Sequence, residues 1–449
     1  MEFDWHKEVS DTIYHDQRVK DNLVKIYERK ASSPEASFSA SLGESLRKSS
    51  YRIFSNKGTD VQYGHNRQTA SRCSSYDYVL VSEDTTDLNY HSHQSKKGIG
   101  NLGGHNDCRG VCLHSALALS PSGLPLGLLG QYLWAPDSSG KNRKKRSSIP
   151  IEQKESYKWL KTLHWCEDLL GDYDGRVIIV GDREADFYEH MKHSRSSHLE
   201  LLIRARNLQR KVLYQGNLLE LSELSPLLTE AFTYQITIPR QKKQKKRNAN
   251  LGVKYTKITM PPAYGFPKND PSIDLYLVVV EEENPPKGAE AVNWWLYTTL
   301  SPEVFELQNL DAFAQLMISF YKKRWLVERF HFVLKQGLKA EQIQYSNYIR
   351  LKNALKVCSV IAWYLLWCKL LIKSVPTEKA ADYFTQEDCE LLTCFAKKSI
   401  TTIEEFILAL AGLINFKPTR GQPLPGEKRL WQAIQKFTIM KEAIRLSKE

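Results

Sequence analysis

The sequence is poor in cysteine and has no long uninterrupted apolar segment, and both shortages narrow the class of protein. Eight cysteines are scattered over 449 residues, without the dense spacing of a secreted disulfide framework. A reducing cytoplasm is therefore the expected location. The most apolar run, 357–368, lies between Lys356 and Lys369 and is too short to span a bilayer. The first residues are mixed in charge and lack an apolar core, so we expect neither a signal peptide nor a membrane partner.

Positive charge, by contrast, is in surplus. Lys and Arg together number 63 against 51 for Asp and Glu, which gives a formal net charge of +12. The hydrophobic fraction of 42% is that of a folded globular protein, so wholesale disorder is excluded. Because no membrane segment is expected, the surplus points to a polyanionic partner, and nucleic acid is the leading class.

Hydrophobic periodicity divides the chain into segments of different character. Helical spacing dominates the start and the end, while short apolar runs bounded by turn residues occupy the middle. The predicted segments are a polar helical region at 1–70, alternating strands and helices over 71–206, a β-rich stretch at 207–300, long helices at 308–337 and 348–373, and a polar helical tail from 376. No internal repeat of fixed period is present.

Two aspartates follow apolar strand-like runs. Asp84 comes shortly after Tyr78–Val81, and Asp182 follows Arg176–Val180. Carboxylates at the ends of neighbouring strands are well placed to share divalent metal ions, and Mg²⁺ favours such ligands together with phosphate oxygens. The alternative is that each aspartate is a turn residue or a helix N-cap, both of which are common roles for Asp.

A predicted helix near residue 328 carries a second constellation. Tyr321, Arg324, Glu328 and Lys335 follow the spacing Y-x2-R-x3-E-x6-K. At ~100° per residue all four side chains fall on one narrow stripe about 21 Å long. The opposite face carries the apolar side chains of Leu326, Val327, Phe330, Val333 and Leu334. A carboxylate flanked by cations and a phenol suits a phosphodiester held on metal ions, whereas the alternative is a solvated helix with intrahelical ion pairs.

These motifs, in this order, resemble the DDE transposases of the insertion-sequence-four family, which includes the transposon-five transposase. The resemblance rests on VSEDTTDLNYH around Asp84, GDREADFY around Asp182 and the Y-R-E-K spacing. Further stretches along almost the whole chain are also similar to the family, among them SLRKSSYRIFSN, CLHSALALSPSGLPLGLL, EENPPKG followed by NWWLYTT, and GEKRLWQAIQKF.

The resemblance implies a multidomain α/β fold. It comprises a helical DNA-end-binding domain at 1–70, an RNase H-like catalytic core at 71–206 and 301–373, a β-rich insertion at 207–300 and a helical dimerisation domain at 374–449. It implies that Asp84, Asp182 and Glu328 are the catalytic, metal-binding acids. Tyr321, Arg324 and Lys335 are implied to hold the terminal phosphates. Trp294, which is adjacent to Trp295, is implied to stabilise a flipped base; the alternative is that Trp294 is a strand residue packed into the core of the β-rich insertion.

The implied activity is metal-dependent cleavage at transposon ends followed by strand transfer, with two Mg²⁺ ions or Mn²⁺ as cofactor and a hairpin intermediate on the way. Partners would be double-stranded DNA, as terminal inverted repeats and as target, and a second copy of the chain in a synaptic homodimer. The expected location is a prokaryotic cytoplasm, on the nucleoid. The alternatives are a catalytically silent DNA-binding repressor, or a domesticated relative, and a nuclease without strand transfer.

Two arginines, a group of His and Cys residues and two basic runs each allow a functional and a structural interpretation. Arg204 and Arg206 close a predicted strand and either contact DNA or pair with buried acids. The His and Cys residues at 91, 93, 105, 108, 112 and 114 match no compact zinc spacing, so we do not expect structural zinc. The basic runs at 141–146 and 242–247 are either solvated loops or phosphate contacts.

Overall fold

The computed structural model describes residues 3–10, 16–58, 60–93, 95–102, 108–136, 149–238, 246–307 and 309–448. It divides into two compact units. The first unit comprises Met1–Asp77, Thr85–Gly140 and Leu326–Glu449, and the second comprises Tyr78–Asp84 and Lys141–Trp325. The chain therefore passes between the units at 77/78, 84/85, 140/141 and 325/326.

The helices of the described residues are α1 (Trp5–Ser10), α2 (Gln17–Ser32), α3 (Phe38–Ser41), α4 (Glu44–Ser55), α5 (Tyr63–Cys73), α6 (Tyr157–Leu170), α7 (Tyr188–Lys192), α8 (Leu221–Leu224), α9 (Leu310–Lys323), α10 (Trp325–Phe332), α11 (Tyr348–Ser374), α12 (Gln386–Ala396), α13 (Ile403–Gly412) and α14 (Glu427–Lys448). The strands are β1 (Tyr78–Asn89), β2 (Gly100–Asn101), β3 (Arg109–Leu119), β4 (Pro125–Trp134), β5 (Arg176–Gly181), β6 (Leu199–Arg204), β7 (Lys211–Tyr214), β8 (Asn217–Glu220), β9 (Phe232–Ile238), β10 (Arg247–Met260), β11 (Ile273–Glu282) and β12 (Asn293–Thr298). The predicted mixed α/β fold is confirmed.

The second unit is built on a mixed sheet. Its strands lie in the order β1-β5-β6-β12-β11-β10-β7-β8, and β9 also pairs with β10. The first three are parallel neighbours and the rest are antiparallel. The predicted β-rich stretch at 207–300 does form strands, and through the β12–β6 pair these strands continue the sheet of β5 and β6. Val177–Val180 of β5 are fully buried, as expected for β-branched residues in a central strand.

The first unit combines a hairpin with a helical core. Strands β3 and β4 pair in antiparallel register across the turn at Pro121-Ser122-Gly123. Helix α11 is the central helix: Asn347 caps its start, and its Trp363 indole N–H donates to the main-chain oxygen of Pro125 on β4 at 2.9 Å. Helices α1, α2, α4, α13 and α14 pack around this core.

Helix α11 corrects the expectation from the apolar run at 357–368. Tyr348–Ser374 is 27 residues long and, by length and composition alone, is long and apolar enough to cross a membrane. Flanking lysines made the run look shorter, but Lys356 is itself buried and pairs with Asp60 at 2.5 Å. In the described chain 83% of the most apolar window is buried within the fold, which is also the property of a core helix.

The predicted continuous helix at 308–337 is wrong in detail. Helix α9 begins at Leu310 after Asn309, whose side chain accepts from the Ala312 N–H, and it ends at Lys323. Helix α10 begins at Trp325, and Val333–Gly337 form a π-helix. The 3.6-residue period of the apolar residues does not predict the break between α9 and α10 at Arg324 or the start of the π-helix at Val333. The apolar side chains keep helical spacing at both positions while the main-chain hydrogen-bond pattern changes.

Candidate active site

Asp84 and Asp182 are brought to neighbouring positions by two parallel strands of the second unit. Strands β1 and β5 pair from Tyr78↔Arg176 to Ser82↔Val180. Two residues beyond that last pair, the same register sets Asp84 level with Asp182. Asp182 directly follows β5, as predicted. Asp84, however, lies inside β1, which continues to Asn89 because the β-branched Thr85 and Thr86 prolong the extended chain beyond the charged residues.

Asp182 also performs the ordinary role that the sequence left open. Its Oδ1 accepts the Glu184 N–H at 2.8 Å and so caps the 3₁₀ turn Arg183–Ala185. Burial raises the pKa of the Asp182 carboxyl, while the bond from Glu184 and the nearby charge of Arg324 act in the opposite direction. The negative charge of Asp84 raises this pKa further. The two aspartates are therefore close enough to repel each other, which is the situation that a shared cation relieves.

Arg324 supplies positive charge to this pair. Its Nη1 lies 3.9 Å from Oδ1 of Asp84, and both side chains are largely buried. Arg324 directly follows α9, and its main-chain N–H donates to the Tyr321 oxygen at 3.0 Å. The sequence spacing predicted that Tyr321 and Arg324 lie close together. They do so in the turn at the end of α9, where the Arg324 guanidinium carbon lies 6.0 Å from the Tyr321 ring centroid.

The adjacent tryptophans of β12 have different surroundings. The Trp294 ring meets the Tyr321 ring edge-on, with centroids 5.4 Å apart, and remains half-buried. Trp295 is only 4% exposed and belongs to the core of the second unit. Of the two residues that the sequence could not separate, Trp294 is the one that lies beside Tyr321.

Glu328 and Lys335 lie in the first unit. Glu328 is exposed on α10, and Lys335 is half-exposed on the π-helix. The predicted core face is confirmed, because the five apolar side chains opposite them are all buried. Within the described ranges, the structure forms no group of three or more His, Cys, Asp or Glu side chains arranged to hold a metal ion. Within the second unit, the structure brings Asp84 and Asp182 together.

Arg204 and Arg206 have different surroundings. Strand β6 ends at Arg204, whose guanidinium donates to the main-chain oxygen of Asn293 at 2.8 Å. Arg206 lies beyond the strand end with an exposed side chain, because Asp186 accepts its main-chain N–H at 2.7 Å and draws the chain out of the sheet. Within the described part of the chain, neither arginine pairs with a buried acid through its side chain, and contact with DNA stays a prediction.

Two buried acids of this region were missed by sequence reasoning. Glu83 is fully buried next to Asp84, and burial raises the pKa of its carboxyl well above the usual range, against a hydrogen bond with Thr162. Asp186, the last residue of the DREAD motif, pairs with Arg210 at 2.7 Å. Strand alternation could have indicated the burial of Glu83, because successive side chains of β1 point to opposite faces and Glu83 therefore points away from the face of Asp84. The sequence carried no comparable signal for Asp186.

The remaining His, Cys and basic residues singled out from the sequence are described only in part. Where the chain is described, Cys112 and His114 contact Asp87 and Thr85 respectively, and no zinc-ligand cluster appears. His105, the basic run at 141–146 and most of the run at 242–247 lie outside the described residues. Arg247, the last residue of that second run, forms an ion pair with Glu282.

Residues 158–365 match the family model of the transposase DDE domain. The matched stretch includes Asp182, Trp294, Tyr321, Arg324 and Glu328 and begins after Asp84. This similarity supports a DNA transposase of the DDE class. The narrower family and the Y-R-E-K signature remain predictions from the sequence.

A solved structure described as a cryo-EM structure of the piggyBac transposase synaptic complex with hairpin DNA is also similar to this chain. The identity is 9% and the TM-score is 0.32. The alignment covers 82% of this chain and 54% of the other, so this chain spans about half the length of that relative. Because the identity is this low, the function is argued below from the residues of the site.

Proposed function

We propose that this protein is a cut-and-paste DNA transposase of the insertion-sequence-four type, with Asp84, Asp182 and Glu328 as its catalytic acids. The observation that carries the proposal is the pair of strand-borne aspartates with Arg324 beside them, at positions matching the family signature. The transposase DDE match over 158–365 supports it independently.

The aspartate pair fits a divalent metal ion. Two partly buried carboxylates on adjacent strands offer the hard oxygen ligands that Mg²⁺ and Mn²⁺ prefer, and their mutual repulsion favours a bound cation. Glu328 is proposed as a third ligand on the family pattern alone. When bound, two such ions would activate the attacking oxygen and neutralise charge at the leaving oxygen.

The protein's own residues then hold the DNA end. Arg324 offers bidentate hydrogen bonds to a phosphate next to Asp84, and Tyr321 is assigned to a phosphate oxygen. Trp294, whose ring meets the Tyr321 ring edge-on, is assigned to support an unstacked base. Lys335 is assigned to a further phosphate. Water attacks phosphorus in line and the bond to the 3′ oxygen breaks, leaving a 3′-hydroxyl.

The later steps repeat the same displacement. The 3′-hydroxyl would attack the opposite strand to form a hairpin, water would reopen it, and the 3′-hydroxyl would finally attack target DNA. The proposed partners are terminal inverted repeats, target DNA and a second copy of the chain, because two ends must be held together. A prokaryotic cytoplasm is the proposed location.

The test is a reaction of purified protein, Mg²⁺ and linear DNA carrying the parent element's own ends. We expect end cleavage and joined products with the parent protein and with Asp168→Asn, which alters an exposed acid on α6. Asp182→Ala and Glu328→Gln should give neither product yet retain binding to the ends. Cleavage without joining would favour a nuclease, binding without metal-dependent product would favour a repressor, and full activity of Glu328→Gln would remove that residue from the site.

A further inference from the structure

A buried ion pair lies four residues after Asp182, and no step of the proposed chemistry uses it. The Asp186 side chain is completely buried, and its Oδ1 lies 2.7 Å from Nη1 of Arg210. Arg210 also donates from Nη2 to the main-chain oxygen of Asp186 at 3.2 Å. The same guanidinium therefore holds both the side chain and the backbone of Asp186.

The second carboxylate oxygen ties another segment to this point. Oδ2 of Asp186 accepts the main-chain N–H of Arg206 at 2.7 Å and, more weakly, that of Asn207 at 3.4 Å. Arg210 lies over the Tyr297 ring of β12, with its guanidinium carbon 5.8 Å from the ring centroid. One carboxylate thus joins the turn after β5 to the segment after β6, over a strand of the same sheet.

The turn between Asp182 and Asp186 is packed closely on its other sides. A Cβ at Gly181 would lie 2.7 Å from Cβ of Ala185 and 2.9 Å from the Ile203 side chain, so only glycine fits there. Buried His190 lies with Nδ1 3.1 Å from the Ala185 oxygen. Burial lowers the pKa of His190 to about 4, so the ring is neutral near pH 7 and donates that N–H.

Stability alone does not account for such a pair. Burying two charges costs about as much as their attraction returns, and apolar replacements of buried ion pairs are often equally stable. What the pair adds is direction, because Arg210, Arg206 and Asn207 make three polar contacts with the Asp186 carboxylate, and Arg210 makes a fourth with its main-chain oxygen. Asp182 caps the same turn through the Glu184 N–H, so a shift of the turn displaces a metal-binding carboxylate. A displacement of ~1 Å can cost about 100-fold in rate.

We propose that Asp186, held by Arg210, is a positioning residue that orients the Asp182 carboxylate and fixes the main chain at Arg206. This inference deepens the proposed function and rests on it. Asp186 itself touches neither metal nor DNA in this assignment. Its removal should therefore change turnover and metal dependence and leave DNA-end affinity almost unaltered.

The chain offers a closely matched control. Glu282 is also a buried carboxylate in the second unit, it pairs with Arg247, and its Oε2 accepts a main-chain N–H, that of Val292, at 2.9 Å. It joins β10 to β11 and the following loop, away from the β1–β5 pair in strand order. Glu282→Gln and Asp186→Asn thus make the same chemical change in equivalent surroundings.

The experiment compares these variants with the parent in end cleavage and in hydrogen exchange of the amides at 183–186 and 205–207. For Asp186→Asn we expect a fall of ~100-fold in the single-turnover rate, a higher Mg²⁺ concentration at half-maximal rate, an end-binding Kd within about threefold, and faster exchange in both segments. Glu282→Gln should lose comparable stability and keep all four parameters. Asp186→Asn/Arg210→Gln, which leaves no unpaired charge, serves if the single variant is poorly folded.

Parental rate and metal dependence in folded Asp186→Asn, or equal losses in Glu282→Gln, would overturn the proposal. Its failure is distinguishable from failure of the proposed function. If the parent itself makes no metal-dependent product, the transposase assignment fails, and the exchange measurement still decides whether Asp186 holds the Asp182 turn. Unchanged exchange in Asp186→Asn would then reject the positioning role as well.

Discussion

At the scale of single residues, Trp294 and Trp295 combine identical chemistry with opposite surroundings. Trp295 is 4% exposed within the sheet of the second unit, whereas Trp294 is half-buried against Tyr321. Trp295→Ala should lower the free energy of unfolding by about 3–5 kcal/mol, because it removes a buried aromatic ring and leaves a cavity. Trp294→Ala should cost clearly less stability but reduce end cleavage. Urea unfolding and single-turnover cleavage measure the two effects.

The contrast between the two variants is itself the control. Equal stability losses would show that both rings serve the core. Unchanged cleavage in Trp294→Ala would remove this residue from the DNA-contacting set, and the exposed Trp325 would then be the next aromatic to examine.

Residues differ in how far the sequence alone could place them. Asp182 was predictable because an apolar strand ends directly before it. Arg324 and Tyr321 were predictable from a three-residue offset, which brings side chains together in any helical turn. The role of Asp186 was not predictable. Its partners Arg206 and Arg210 follow β6, and the sequence does not show that this segment lies beside the turn at 182–186. Trp294 could not be separated from Trp295, since the face of a strand is fixed only by what packs on it.

At the scale of helices and strands, the contact between the π-helix and α14 depends on one glycine. A Cβ at Gly337 would lie 2.7 Å from the ring of Trp431, which is itself buried. Gly337→Ala should therefore destabilise the first unit by about 1–3 kcal/mol, as overpacking does. Thermal unfolding measures the loss.

Gly412 provides the comparison, because it also ends a helical element of the first unit but has no atom within 4 Å of its Cβ position. Gly412→Ala should be neutral or stabilise by about 0.4–1 kcal/mol through the unfolded chain. A similar loss in both variants would show that backbone conformation, and not Trp431, sets the cost.

A buried charge network attaches α1 to α5 and β4. Nδ1 of His65 lies 2.5 Å from Glu8, Arg72 donates to the same carboxylate at 2.6 Å, and Nε2 of His65 accepts the Leu128 N–H at 3.0 Å. Burial alone would raise the pKa of Glu8, but Arg72 and His65 hold it at about 2. Burial lowers the pKa of His65. The network therefore holds a neutral imidazole between an anion and a main-chain donor.

The sign of the pH dependence follows from these two shifts. A histidine that is neutral when folded takes up a proton on unfolding once the pH falls below about 6.5, so stability should decline from there. Glu8 adds a second decline as the pH falls from 4.5 toward 2. Unfolding by urea at pH 7.5 and pH 5.5 should show a smaller decline in His65→Gln than in the parent. His6→Gln, on the exposed face of α1, should behave as the parent does. An identical decline in all three proteins would exclude His65 as the source.

At the scale of the whole molecule, the sequence predicts which secondary-structure elements form better than it predicts how the chain is divided between the two units. The mixed α/β class, the β-rich stretch and the long helix α11 all followed from periodicity. The chain's repeated passage between two units did not, because the chain crosses between them inside continuous elements, as at 84/85 within β1 and at 325/326 within α10. The local hydrophobic pattern does not indicate where the chain is divided, because the division depends on contacts between residues distant in sequence.

The net charge of +12 makes a prediction for the full chain under the proposed function. Each phosphate neutralised releases counterions, so the logarithm of the affinity for end DNA should fall linearly with the logarithm of salt concentration, by about 0.9 per contact. Arg324→Ala should reduce this slope by about one, because one phosphate contact is lost. Asp182→Asn should leave the slope nearly unchanged, since its carboxylate is assigned to metal. Fluorescence anisotropy between 50 and 200 mM salt without divalent metal measures both slopes. A parental slope in Arg324→Ala would show that Arg324 serves only to balance the charge of Asp84, and the phosphate contact would have to be sought among the other Lys and Arg side chains.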